Sequence, residues 1–244
     1  MKKISIYTTI LAVALMFNAC VENDSANISG ITNFAVFTLS GDQEVLLKNG
    51  TEYLEPGATA EEAGSAVDVT TTISAGLYRG LPFSKDVSDI YTVSYSAVNQ
   101  DGFLASAGRT VIIADSGDLV NDLSGLYISS VTRNDDAPDQ YQNMKYVMIW
   151  KKSDGIYQIS DGIGAWYELG RVLGTAYGAP GATIKVNGPN DFSIANKDFD
   201  VKTFGGAAEM LEFNVNAAAK TIDFKTDWRD GDFIFEVHLE QVQF

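Results

Sequence analysis

From residue 31 onward, apolar and polar residues alternate in short runs broken by Gly, Asp and Asn. That is the pattern of β-strands joined by tight turns. Ile90–Asn99 is the clearest case. Tyr91, Val93, Tyr95 and Ala97 alternate with Thr92, Ser94 and Ser96, so one face is buried and the other meets water. Asp101-Gly102 follows as a hairpin turn and Arg109–Ala114 as the return strand. Upstream, Ile31–Leu39 and Glu44–Lys48 read as strands around Ser40-Gly41-Asp42, Asn49-Gly50 marks the next reversal, and Val67–Ser74 is a β-branched run. Pro56-Gly57 suits a type II turn, Pro fixing φ at the second position and Gly accepting positive φ at the third.

The second half repeats the style. Leu126–Arg133, Met144–Lys151, Ile156–Ser160, Thr183–Val186, Asp191–Ala195, Met210–Val215, Thr221–Thr226 and Asp232–Leu239 read as strands, with Asn134–Gln140 as a loop and Asp161–Gly170 as a glycine-punctuated stretch. In the last strand Phe233, Phe235, Val237 and Leu239 share one face, opposite Glu236, His238 and Glu240. Val242 and Phe244 then fall out of phase, as a bulge would cause. The expected fold is all-β: a β-sandwich over 31–115, which the resemblance described below makes Ig-like, a short polar joint at 116–122, and an antiparallel barrel, or a second sandwich, over 123–244.

The N-terminus follows a different pattern. Lys2 and Lys3 precede an apolar run from Ile4 to Phe17, then Asn18-Ala19-Cys20. As a helix that run would reach about 21 Å, short of the roughly 30 Å of a bilayer core. It therefore reads as a signal peptide over 1–19. Phe17 spoils an ordinary cleavage site at Ala19. Phe17, Ala19 and Cys20 instead resemble the cleavage site of a bacterial lipoprotein, which implies acyl chains on Cys20, the single cysteine. The other reading is a secreted protein with an unused thiol. Residues 20–30 are polar and aperiodic and read as a flexible tether. Glu22 and Asp24 behind Cys20 resemble a weak form of the export signal of Bacteroidetes surface lipoproteins.

Charge narrows the partners. Removing 1–19 takes away Lys2 and Lys3 and moves the formal charge from −15 to −17. Such a chain is not built for nucleic acid or for anionic head groups.

Four separated segments carry a further resemblance. Tyr53-Leu54-Glu55-Pro56-Gly57-Ala58-Thr59-Ala60, Tyr91-Thr92-Val93-Ser94-Tyr95, Asn99-Gln100-Asp101-Gly102-Phe103 and Arg109-Thr110-Val111-Ile112-Ile113 occur in this order in a bacterial Ig-like domain common in Bacteroidetes surface lipoproteins, although Asp is usual where Glu55 stands. Gly125-Leu126-Tyr127, Ser160-Asp161-Gly162 and Tyr167-Glu168-Leu169-Gly170-Arg171 look like the C-terminal domains that follow such modules in lipoproteins encoded with SusCD-type importers. These resemblances imply an outer-membrane lipoprotein facing the cell exterior, an accessory subunit of a SusCD-type importer that captures oligosaccharides or oligopeptides. A free-standing glycan-binding lipoprotein and a structural or adhesive surface protein are the alternatives.

The chemistry available is sparse. His238 is the lone histidine, on the polar side of its strand, and no thiol joins it, so no metal centre is expected. Asp135, Asp136 and Asp139, and Asp227, Asp230 and Asp232, follow no calcium-loop spacing. No Ser lies in a nucleophile setting and no carboxylate pair stands out. The chain is thus expected not to be an enzyme, and to carry no cofactor beyond the lipid. All three tryptophans, Trp150, Trp166 and Trp228, lie in the second half. Trp150 and Trp228 suit the barrel core. Trp166 and Tyr167 either seal the barrel end or offer flat faces to a ligand, with Asp161, Glu168 and Arg171 placed to hold its polar groups.

Overall fold

The computed structural model describes residues 31–243; the signal peptide, Cys20, the tether and Phe244 lie outside them. The first half is an Ig-like sandwich. β1 (Val36–Leu39), β3 (Ala58–Glu62) and β4 (Ser65–Val67) form one sheet. β2 (Glu44–Lys48), β7 (Leu104–Ala114), β6 (Asp89–Val98) and β5 (Thr70–Ile73) form the other, in that order. β1 and β2 do not pair around Ser40-Gly41-Asp42. The chain changes sheets there, Ser40 N–H donating to the Gly57 carbonyl at 3.0 Å, and β2 runs parallel to β7. Tyr91, Val93 and Tyr95 face Val111 and Ile113 in the sandwich core.

One ion pair, a half-buried carboxylate on a buried guanidinium, ties this half together. The Glu55 carboxylate accepts from Arg109 Nη1 at 2.9 Å, the Tyr95 hydroxyl at 2.5 Å, the Gly57 N–H at 2.6 Å and the Tyr53 hydroxyl. Arg109 is buried and also donates to the Ser40 carbonyl. Burial pushes the Glu55 carboxyl up, but the bonds from Tyr53, Tyr95, Gly57 and Arg109 together hold it below the ordinary range. Three separated segments, the Tyr53–Gly57 turn, β6 and β7, therefore meet at a single carboxylate.

The second half is one antiparallel sheet of nine strands, ordered β12-β11-β10-β9-β8-β16-β15-β14-β13 and curled into a nearly closed barrel. Its strands are β8 (Gly125–Arg133), β9 (Met144–Ser153), β10 (Ile156–Ile159), β11 (Thr183–Gly188), β12 (Asp191–Asn196), β13 (Asp198–Asp200), β14 (Ala207–Asn216), β15 (Thr221–Trp228) and β16 (Phe233–Gln241). β16 has no bulge at its end. Its register to β15 and β8 runs unbroken, and Gln241 stays on the buried face. Val242 falls out of phase because it packs on the outside of the barrel, where the sandwich covers it.

That covered face is the domain boundary. Leu126, Tyr146, Met148 and Trp150 of the barrel pack with Ile112, Ala114, Leu46, Ile90 and Tyr78 of the sandwich. Trp150 therefore belongs to this boundary and not to the barrel interior; it stacks on Tyr78, ring centroids 6.3 Å apart. β7 and β9 are each buried on both faces at this point, which is why Val111–Ala114 and Tyr146–Trp150 read as continuous apolar runs without alternation. The joint is pinned as well. Leu119 and Leu123 sit in the barrel core, and Asp118 accepts the backbone N–H groups of Val120, Asn121 and Asp122.

Candidate functional site

Asp161, Trp166, Tyr167, Glu168 and Arg171 come from the segment that crosses one end of the barrel. Gly164 must be glycine there: its φ is +68°, and a Cβ would lie 2.6 Å from Val131 and 2.7 Å from Val237. The chain then enters a π-helical turn over Trp166–Gly170. This geometry turns the aromatic residues inward. Trp166 is 1% exposed. Tyr141 lies flat against its ring, and the Arg133 guanidinium stands 4.6 Å from its centroid. Tyr167 is 4% exposed and packs on Phe204 and Trp228. Neither offers a face to a ligand, so the stacking platform expected there does not exist; the pair seals the barrel. The partners that bury them, Tyr141, Phe204, Trp228 and Phe235, come from distant parts of the chain.

The polar members separate too. The Asp161 carboxylate is fully buried and accepts the N–H groups of Ile163 at 2.8 Å and Ala179 at 3.1 Å. Glu168 points to the domain boundary, where the Tyr78 hydroxyl donates to it at 2.8 Å. Burial, then the charge of Asp161, pushes its carboxyl up to about 7. The cavity beside it holds only about 40 Å³, room for water and not for a sugar or peptide. Arg171 alone of the five reaches solvent, its guanidinium 5.4 Å from the Tyr167 ring centre.

A roomier site lies on the outer face of β8, β16, β15 and β14, an open trough of about 530 Å³. Strand register builds it as two rows. Ser130, His238, Asp223 and Asn214 lie side by side across the four strands, and Thr132, Glu236, Lys225 and Glu212 form the next row. His238 Nδ1 and Asp223 Oδ1 are 2.6 Å apart, and Lys225 donates to Glu236 at 2.8 Å. The register of β14 shifts between Met210 and Glu212, and this bulge brings Glu212 opposite Lys225. Gln142 closes one side. The lining offers hydroxyl, amide, imidazole, ammonium and carboxylate groups on strands held rigid by their neighbours. Its carboxylates outnumber its single lysine, so it suits neutral or cationic ligands over anionic ones.

Sequence reading places His238, Glu236 and Glu240 on a polar face but does not assemble the trough. Each strand alone shows ordinary alternation. The rows appear only once four registers are known, and no local signal reports them. Among the described residues no group of three His, Cys, Asp or Glu side chains converges as metal ligands, and no helix is long and apolar enough to cross a membrane.

A two-domain chain of this kind, a sandwich pinned to a nearly closed barrel, has known relatives. Residues 37–113 match the family model of the bacterial surface protein Ig-like domain. Residues 116–241, more than half of the chain, match the model of the BT2262-like C-terminal domain, and the chain belongs to that family. A solved structure with the same architecture is the lipoprotein BT2262 from Bacteroides thetaiotaomicron. It is 25% identical, with a TM-score of 0.61, and the match covers 85% of this chain and 100% of that one. No curated protein matches.

Proposed function

We propose that this chain is an outer-membrane lipoprotein, anchored through Cys20 and facing the cell exterior, that captures neutral oligosaccharides or oligopeptides as accessory subunit of a SusCD-type importer. The observation that carries binding is the 530 Å³ trough with its two rows of hydrogen-bonding side chains. The lipoprotein neighbour and the surface-protein Ig-like domain support the address. The importer rests on the resemblance of the two-domain arrangement to lipoproteins encoded with such importers. Binding without catalysis is the reading for the trough, and shortened products after incubating the mature protein with candidate polymers would overturn it. The carboxylates with raised pKa, Asp161 and Glu168, are enclosed away from it.

Calorimetric titration of the mature protein against neutral and anionic oligosaccharides and peptides tests the ligand class. Neutral ligands should bind, Asn214→Ala with Ser130→Ala should weaken binding about tenfold, in keeping with one or two lost hydrogen bonds, and anionic ligands should bind worst. A flat response across the panel would remove the trough from consideration. Gentle purification of the importer complex should bring this protein with it; its consistent absence would leave a free-standing binding lipoprotein. The adhesive reading has one feature of its own, the open edge of β5, whose four residues are all exposed.

A further inference from the structure

The far end of the sandwich carries an apolar tip that the trough does not explain. Ile31 is 90% exposed, Val36 70% and Leu104 66%, while Phe34, Val98 and Phe103 are about half exposed. They come from the start of the described chain and from the β6–β7 hairpin, and two sets of contacts tie these segments to each other. The Phe34 and Phe103 rings are 5.8 Å apart. The buried Asn99 donates to the Asn33 carbonyl at 2.7 Å and accepts the Phe103 N–H at 2.6 Å, which locks the hairpin tip to the N-terminal strand. Val98 pairs directly with Leu104, both outward, because Ala97 and Ala105 fill the narrow interior. Side chains of this size, fixed in a cluster and turned to water, mark a surface that something covers.

We infer that this tip is a foot that rests in the interfacial layer of the lipid surface holding the anchor and stands the molecule upright on it. One observation favours lipid as the occupant. The patch begins at Ile31, and the ten residues between it and Cys20 reach at most about 35 Å, so an anchored chain cannot hold this end far from the bilayer. Phe and Leu side chains of such a tip gain by entering the head-group and acyl boundary.

The inference rests on the Cys20 anchor of the proposed function, and the experiment keeps the two apart. Protein beginning at Cys20 is made without acylation and coupled through that thiol, its single cysteine, to a maleimide lipid in phosphatidylcholine vesicles. Cellular acylation is then irrelevant to the result and is tested by fatty-acid labelling of wild type against Cys20→Ala. The native tryptophans all lie in the barrel half, so the signal of Phe103→Trp is read as the difference from wild type. The introduced indole should shift to the blue on the vesicles and be quenched several-fold more than the native indoles by brominated acyl chains. The changes Phe34→Ser and Leu104→Ser should reduce both effects, with circular dichroism unchanged. An indole that stays unshifted and unquenched would overturn the foot. So would one that shifts only when purified importer is added, since a protein would then be the cover.

Discussion

At the scale of single residues, a half-buried and a buried carboxylate show how placement decides behaviour. Glu55 sits among donors and stays ionised; Glu168 sits beside another carboxylate and is pushed up to about 7. Between pH 4.5, its ordinary value, and 7, the folded chain keeps a proton on Glu168 that the unfolded chain has released. Stability from this group therefore falls as pH rises through that window, by about 3 kcal/mol in all. Glu168→Gln keeps an acceptor for the Tyr78 hydroxyl and removes the titration. Its urea midpoint should match wild type near pH 4.5 and exceed it at pH 8, so equal midpoints at both pH values would contradict the assignment. Glu55→Ala should do the opposite, stranding the buried Arg109 guanidinium at a cost of about 3 kcal/mol, measurable by denaturant unfolding at pH 7.

At the scale of elements, the strands that carry information are those buried on both faces. β7 and β9 look unusual in sequence because neither alternates across Val111–Ala114 or Tyr146–Trp150. Each serves two cores at once, its own domain's and the shared boundary. Trp150→Ala removes the largest side chain of that boundary, and loss of a buried aromatic costs roughly 3–5 kcal/mol. Calorimetry should show a single unfolding transition for wild type and two for this variant, the sandwich and the barrel melting apart. One sharp transition in both would mean that the boundary does not couple them.

At the scale of the whole molecule, a pinned joint and a shared apolar boundary make the two halves one body, with a polar trough on the barrel's outer wall and an apolar tip at the sandwich end. A lipid-standing foot would leave the trough at a fixed height above the bilayer. Limited proteolysis tests the same picture: Asp118 is held down to about 2 by the N–H groups of Asn121, Val120 and Asp122, so the joint should resist cleavage although its sequence reads as a linker.

The sequence by itself determined the all-β class, the two-part organisation and the strand faces of β6 and β16, because period-two alternation and Gly-Asp-Asn turns are local properties of the chain. It also carried the resemblance to an Ig-like surface module, three of whose four segments meet at Glu55. Tertiary structure alone decided the rest. Trp166 and Tyr167 had no visible core partners in their own stretch because those partners are supplied by β15, β16 and loops far along the chain. Val242 looked misplaced until the sandwich covered it. The trough exists only where four strands lie in register, each contributing two polar side chains. Burial and register depend on which distant segments meet, and that is set by packing the whole chain.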